Sequence, residues 1–179
     1  MHPGDEGKLA FEMDFIGLQN YTREVVAYSA FMPFVKATII KADKRNVERT
    51  LMNWEIYPPS IYHALKRVNE YKGIKQIIVT ENGAAFTDEV SDDGVNDIDR
   101  VNYLKKYITQ VLLAKKEGVK VNGYFIWTLL DNFEWAEGFH PRFGLVHVNF
   151  KTHQRIIKAS GKWYSNFIGT SSKDAVIQK

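Results

Sequence analysis

The sequence predicts an α/β fold with a parallel sheet, because three strand-like segments alternate with two helical segments. The order strand, helix, strand, helix, strand is typical of βαβ units, whose successive strands run parallel. Each strand segment also has an apolar body that is followed by an amide, an acid or an aromatic residue. In chain order, the five segments are Met13–Thr22, Pro59–Tyr71, Ile77–Gly83, Asp99–Gly118 and Val121–Leu130.

The first strand segment ends in polar and aromatic residues. Gln19, Asn20 and Tyr21 close the predicted strand, so they are expected at the edge of the sheet where parallel strands end. The following stretch, Arg23–Ile40, is predicted to form an antiparallel excursion over the mouth of the sheet. The mixed-sign charges of Lys41–Arg49 predict a solvated loop.

Both helical segments carry start and stop signals. Pro59 lies in the first turn of the first helix, and Gly73 lies beyond its end. The second helix has acidic residues at its start and Gly118 after its lysine-rich last turn, as capping and the helix dipole favour. Its buried face is predicted from the apolar residues that recur with the helical period, which are Val101, Leu104, Ile108, Val111 and Leu112.

The middle strand segment, Ile77–Gly83, places a carboxylate at the end of an apolar run. The run predicts a strand buried on both faces, and Asn82-Gly83 is a strong turn signal. Glu81 is therefore expected at the edge of the sheet where parallel α/β folds carry their chemistry. A charge there is costly unless it is paired or used. Taken alone, the segment favours an ordinary glutamate at a loop start, and the other motifs reverse that interpretation.

The third strand segment, Val121–Leu130, is again almost continuously apolar. Farther along the chain, Phe143–Phe150 and Arg155–Lys158 are predicted to form a hairpin. The last helix is predicted over Gly161–Ile168, with the residues from Ser171 onward frayed.

Three motifs follow one another in the second half of the chain: Thr80-Glu81-Asn82-Gly83, the stretch Trp127–Trp135, and Arg142-Phe143-Gly144-Leu145. Together they resemble glycoside hydrolase family 1, which contains β-glucosidases, β-galactosidases and phospho-β-glycosidases. The resemblance extends from about Asp14 to Tyr164. It implies a (β/α)₈ TIM barrel of more than twice this length. Residues 1–179 would form a single partial domain, the C-terminal part of that barrel, with about strands six to eight.

The resemblance gives Glu81 and Tyr21 chemical roles. Retaining glycosidases use two carboxyl groups about 5–5.5 Å apart, one as nucleophile and one as acid/base. By resemblance, ionised Glu81 is the nucleophile that attacks the anomeric carbon, and the hydroxyl of Tyr21 bonds to it. Without the resemblance, Tyr21 is interpreted as an ordinary half-buried strand residue.

The resemblance also implies side chains that bind the sugar. Glu134 matches a carboxylate that accepts hydrogen bonds from sugar hydroxyls. Trp127 and Trp135 match aromatic residues that stack on or flank the sugar with flat apolar area and an indole donor. Without the resemblance, both tryptophans are interpreted as core or rim residues.

Three looser matches extend the implied site. Gln19 stands where the family has an asparagine near the nucleophile, Trp54 matches an aromatic residue on the leaving-group side, and Phe143 lies near the sugar pocket. Family members that act on phosphorylated sugars carry a serine and a basic cluster in the loop after the last strand. Here that loop, Glu134–Gly138, is acidic. A neutral β-linked saccharide or aryl β-glycoside is therefore the expected substrate.

The proton donor of the family is missing from this sequence. The acid/base glutamate belongs to a Thr-x-Asn-Glu-Pro motif, and no Asn-Glu-Pro occurs here. Three barrel strands have two open edges and an apolar face, so pairing with a separate N-terminal half-barrel or with a second copy is expected. Two functions stay open. One is the C-terminal part of a retaining β-glycosidase that is active only when complemented; the other is a catalytically silent partial barrel, a structural or weakly sugar-binding oligomer.

Composition excludes several classes of function. Hydrophobic residues make up 45% of the chain, and the net charge of +3 is too small to imply nucleic acid as a partner. Cysteine is absent and the five histidines have no ligand spacing, so no metal or other cofactor is predicted. No apolar run has transmembrane length, and Met1–Ala10 lacks the apolar region of a signal peptide. A cytoplasmic location without a membrane partner is expected.

Overall fold

The computed structural model of the chain describes residues 2–5, 7 and 12–177, with residues 171–177 as backbone only. Two short 3₁₀ helices cover Ala42–Lys44 and Trp135–Glu137. The helices are α1 (Pro59–Asn69), α2 (Ile98–Lys116) and α3 (Ala159–Ile177). The strands are β1 (Ile16–Gln19), β2 (Val26–Tyr28), β3 (Ala37–Ile39), β4 (Ile77–Asn82), β5 (Val90–Ser91), β6 (Gly94–Val95), β7 (Val121–Ile126), β8 (Val146–Val148) and β9 (Arg155–Ile157).

The central sheet has three parallel strands in the order β1–β4–β7, which confirms the predicted βαβ arrangement. α1 lies in the connection from β1 to β4, and α2 in the connection from β4 to β7. The register is irregular after Leu18, so that Gln19 lies opposite Glu81. On the other side of β4, Asn82 pairs with Ile126. The C-terminal ends of all three strands therefore meet around Glu81.

The core lies between the sheet and the two helices α1 and α2. Ile77 and Val79 of β4 are fully buried in it, whereas Ile78 and Thr80 are half-buried. Alternate residues of a strand point to opposite faces of its sheet. The prediction that this strand is buried on both faces was therefore wrong for the described residues, because the two helices cover only the face that carries Ile77 and Val79.

The predicted apolar stripe of α2 is correct except for one residue. Four of its members are buried, whereas Leu112 is 51% exposed. The buried face is instead widened by two tyrosines at helical spacing, Tyr103 and Tyr107, whose rings stack with their centroids 4.2 Å apart. The predicted stripe was drawn from purely apolar residues and so omitted these tyrosines. They can be buried because their hydroxyls form hydrogen bonds inside the protein.

Two antiparallel pairs flank the sheet as predicted. β2 pairs with β3 in the excursion after Tyr21, and β8 pairs with β9 to form the later hairpin. The last helix is longer than predicted, since α3 begins at Ala159 and continues to Ile177. The predicted frayed end from Ser171 onward is therefore helical as far as Ile177, and residues 178 and 179 lie outside the described residues.

In the part of the chain that the structure describes, none of the helices combines the length and the apolar character needed to cross a membrane.

Candidate active site

Glu81 lies one residue before the end of β4 and accepts a short hydrogen bond from Tyr21. The hydroxyl of Tyr21 donates to Oε2 of Glu81 over 2.6 Å, so the contact that the family resemblance implied is present in the structure. Burial raises the pKa of Tyr21 first, and the bond to Glu81 and the charges of Glu81 and Glu134 raise it further. The phenol therefore stays protonated and remains a donor to the carboxylate over the whole neutral range.

An aromatic cluster holds Tyr21 in place. Its ring lies 5.5 Å from that of Trp54 and 6.5 Å from that of Phe143, and the last two are 6.1 Å apart. These centroid distances are typical of tilted and edge-to-face aromatic pairs. Phe143 is only 3% exposed, so it supports the cluster from behind, whereas Trp54 is half-buried and keeps part of its surface open.

Asn82, next to Glu81, joins the ends of the three strands. Its side-chain amide donates to the carbonyl of Asn20 (2.6 Å) and to the hydroxyl of Tyr103 (3.1 Å), and its oxygen accepts from the hydroxyl of Tyr124. The residue is fully buried with all these groups satisfied. The sequence interpretation of Asn82 as part of a turn was wrong, because Asn82 is the last residue of the strand.

Gly83 allows the chain after β4 to approach the chain after β7. A Cβ atom at this position would lie 1.8 Å from the carbonyl oxygen of Trp127, which is backbone and cannot move aside as a side chain can. The amide of Trp127 in turn donates to the carbonyl of Asn82 over 2.9 Å. The glycine is therefore required by close packing of two backbones beside the candidate site.

Glu134 is the second carboxylate of the site. Its Oε2 atom is buried and has no hydrogen-bond partner among the described residues. Its charge contributes to the raised pKa of Tyr21, so Glu134 and Tyr21 lie within electrostatic reach of each other. A buried carboxylate oxygen without a donor is costly unless a ligand supplies one.

The remaining predicted residues lie at the same edge of the sheet with more exposure. Trp135 is 79% exposed, Gln19 is exposed beside Glu81 in the register, and Trp127 is half-buried just beyond the end of β7. The structure thus brings Trp54 and Phe143 together around Tyr21, which bonds to Glu81. Gln19, Trp127 and Trp135 border this group without a side-chain hydrogen bond to Glu81 in the described structure.

Asp131, which the sequence analysis did not select, fixes the loop that carries Glu134. Its carboxylate accepts hydrogen bonds from the amides of Gly144 (2.9 Å) and Val148 (3.3 Å), and it pairs with the Lys158 ammonium at 2.9 Å. One side chain at the start of the loop therefore holds the end of the loop and the start of α3. The one sequence signal for Asp131 is its position in the Asp-Asn-Phe-Glu stretch that contains Glu134. Its partners are distant in sequence, so local patterns could not identify them.

Lys158 extends this contact into a buried ion network. It is fully buried and pairs with Asp88 as well as Asp131. Arg100 of α2 pairs with Asp88 at 3.1 Å and also with Asp97. With Arg142, which reaches Asp131 at 3.3 Å, three cations face three carboxylates. Glu81 lies in β4, and the network connects the chain that follows β4 with the loop that carries Glu134.

The same network contains a group that could hold a metal ion. Ligand atoms of Asp88, Asp131 and His147 lie within 4.8 Å of one another. The ammonium of Lys158 bonds to both aspartates and so occupies the place of a cation between them. Burial lowers the pKa of His147, and the charges of Arg142 and Lys158 also act in this direction, so its imidazole is neutral. We therefore interpret the group as an internally neutralised ion network.

Comparison with known proteins gives consistent matches over most of the chain. The family model described as glycosyl hydrolase family 1 matches residues 1–173. The 1,4-beta-D-glucan glucohydrolase of Thermotoga neapolitana is 47% identical over 165 residues, which are 92% of this chain and 36% of that protein. The 6-phospho-beta-galactosidase of Clostridium acetobutylicum is 36% identical over 173 residues, covering 88% of this chain and 36% of that protein.

A solved structure gives the same match in three dimensions. The beta-glucosidase from Thermotoga maritima in complex with deoxynojirimycin has a TM-score of 0.82 and 46% identity, and the match covers 88% of this chain and 35% of that chain. This chain thus spans about a third of the length of the relatives that it matches.

Proposed function

The chain belongs to glycosyl hydrolase family 1, and from this premise we propose that it is the C-terminal part, about strands six to eight, of a retaining β-glycosidase. Its substrate would be a β-glucoside or a related neutral β-hexoside. The observation that carries the proposal is the 2.6 Å bond from the hydroxyl of Tyr21 to Glu81 at the end of a parallel strand. This bond holds one carboxylate oxygen and leaves the other free to react.

In the proposed reaction, the free oxygen of Glu81 attacks the anomeric carbon while the bond from that carbon to the leaving-group oxygen breaks. The product is a glycosyl ester of Glu81, and water then attacks the same carbon and releases the carboxylate. Poor leaving groups need a proton in the first step, and the water loses one in the second. The acid/base group for both transfers would come from the part of the barrel that this chain does not span.

Glu134 supports the proposed sugar site, since its buried Oε2 atom has no donor among the described residues and a sugar hydroxyl would supply one. The indoles of Trp127 and Trp135 offer flat apolar area at the same edge. The loop after β7 also contains Glu137, and acidic groups disfavour a phosphorylated sugar through like-charge repulsion. When the missing part of the barrel is supplied, more efficient hydrolysis of a 6-phospho-β-galactoside than of a β-glucoside would contradict the preference for a neutral sugar.

Covalent trapping of Glu81 tests the proposal directly. With 2,4-dinitrophenyl 2-deoxy-2-fluoro-β-glucoside, the dinitrophenolate leaves without a proton donor and the fluorine slows release of the sugar. We expect mass spectrometry to find one fluoroglucosyl group on Glu81 of the isolated chain. Glu81→Gln should remain unlabelled, and Glu70→Gln, which removes an exposed carboxylate at the end of α1, should be labelled like the wild type. Labelling of a different residue would contradict the assignment.

A second candidate function is a catalytically silent partial barrel that self-associates, and the open surfaces of the structure favour it. In the described residues, β1 and β7 each pair only with β4 in the sheet. A groove of about 850 Å³ lies between β7 and α3, beside the exposed side chains of Phe125 and Leu129. Sheet edges and apolar grooves of this kind are typical sites of association. Fluoroglucosyl labelling of Glu81 would favour the glycosidase over this catalytically silent candidate.

The open surfaces predict that the isolated chain is not a monomer. We expect light scattering to give a mass above 20.7 kDa at micromolar concentration. Leu129→Lys should lower that mass, because it places a charge on a side chain that is 65% exposed at the groove. Leu112→Lys is the matched control, since Leu112 is 51% exposed on α2, away from the groove. A monomeric wild-type chain at about 100 μM, where contacts worth roughly 5.5 kcal/mol would already associate, contradicts self-association.

A further inference from the structure

An ion cluster next to Trp54 in the chain consists of the buried carboxylate of Glu55 and two partly exposed cations, Arg23 and Arg45. The Glu55 side chain is 4% exposed. Its two oxygens accept from Nη2 (2.9 Å) and Nε (3.0 Å) of Arg23, and Oε2 also accepts from Nη1 of Arg45 at 2.8 Å. The hydrogen bond from Arg23, followed by the contact with Arg45, keeps the pKa of Glu55 below its usual value despite burial.

The cluster connects two segments of the chain through side chains. The hydroxyl of Thr22 donates to the carbonyl of Glu55 over 3.0 Å. The guanidinium of Arg23 lies 3.5 Å from the centre of the Tyr57 ring, as in a cation–π contact. The residues that follow β1 are therefore held against the segment from Trp54 to Tyr57 by three separate contacts.

Each segment carries one residue of the candidate site next to the cluster. Tyr21 precedes Thr22, Trp54 precedes Glu55, and their rings lie 5.5 Å apart. Tyr21 then reaches Glu81 over 2.6 Å. A continuous chain of contacts thus runs from Glu55 to the carboxylate proposed as nucleophile.

We propose that Glu55 is a positioning residue for the Tyr21–Glu81 pair. Its two-pronged bond to Arg23 fixes the chain just beyond β1, so that the hydroxyl of Tyr21 stays within hydrogen-bond distance of Glu81. A bidentate guanidinium–carboxylate pair fixes orientation as well as distance. The effect on catalysis rests on the proposed function, whereas the effect on the Tyr21–Glu81 bond does not.

The test follows Tyr21 itself. In protein labelled with ¹³Cζ-tyrosine, the variant Tyr21→Phe identifies the Tyr21 resonance, and Glu81→Ala shows where it lies without its acceptor. We expect Glu55→Gln to move the resonance toward the Glu81→Ala position. We also expect it to slow fluoroglucosyl labelling of Glu81 by roughly 10- to 100-fold, the effect of a misplacement of about 1 Å.

Two further variants separate positioning from general loss of structure. Arg23→Gln removes the bidentate bond at a side chain that is 39% exposed and leaves Arg45 paired with Glu55, so it should fold and produce the same changes. Glu70→Gln should change neither the resonance nor the labelling rate. If Glu55→Gln or Arg23→Gln folds with an unmoved Tyr21 resonance, the positioning role is wrong. If the resonance moves but wild-type Glu81 is labelled neither in the isolated chain nor after the N-terminal part of the barrel is supplied, the positioning role stands and the proposed function fails.

Discussion

Glu81→Gln is expected to abolish turnover in a chimera in which this chain replaces the part of the Thermotoga maritima β-glucosidase that it matches. The two proteins are 46% identical over that part, with a TM-score of 0.82, so the chain should complete the barrel. Glutamine keeps an acceptor for Tyr21 but cannot form the glycosyl ester. Loss of a reacting group of this kind lowers kcat by on the order of 10⁴- to 10⁶-fold. Hydrolysis of 4-nitrophenyl β-glucoside measures the change.

The chimera also tests whether the loss of activity is specific to Glu81. Glu70→Gln in the same chimera should retain full activity, since Glu70 lies at an exposed helix end and, among the described residues, forms an ion pair only with Arg67. Azide, added as a small nucleophile, should restore partial turnover of an activated substrate in the Glu81→Ala variant with the opposite anomeric configuration in the product. A Glu81→Gln chimera that keeps more than about a tenth of the activity would remove Glu81 from the reaction.

The sequence was sufficient to predict the sheet and the position of Glu81. The apolar runs around Ile77–Val79 and Val121–Ile126, separated by a helix with a clear period, define parallel strands through local patterns alone. Tyr21 and Glu134 came from the resemblance, since nothing in their own neighbourhoods distinguishes a hydrogen-bonding partner of a nucleophile from an ordinary polar residue.

The residues that hold the site could not be predicted in the same way. Asp131 and Lys158 are 27 positions apart, and Arg23 and Glu55 are 32 positions apart, so their pairing depends on the completed fold. Asn82 and Gly83 form a strong turn signal, yet here the side chain of Asn82 makes three hydrogen bonds and the backbone at Gly83 packs against that of Trp127. Local turn chemistry was overridden because three strand ends meet at this point.

The buried ion network gives the largest expected effect on stability. Lys158→Met keeps the length of the side chain but removes the ammonium that bonds to Asp88 and Asp131. Both aspartates then lose a partner in a site where Lys158 itself has no exposed surface. Breaking a buried pair by removing one partner costs about 3–5 kcal/mol, because the remaining charge is left uncompensated. Urea unfolding of the isolated chain should show this loss.

Two comparisons decide whether charge is the cause. Lys66→Met removes an exposed lysine that pairs with Glu117 at 3.2 Å, and such surface pairs contribute only about 0–1 kcal/mol. Asp88→Asn in the Lys158→Met background returns the network to equal numbers of cations and carboxylates, so the double variant should recover part of the lost stability. A double variant that is less stable than Lys158→Met alone would show that packing, and not charge balance, makes Lys158 necessary where the chain after β4 meets the loop that carries Glu134.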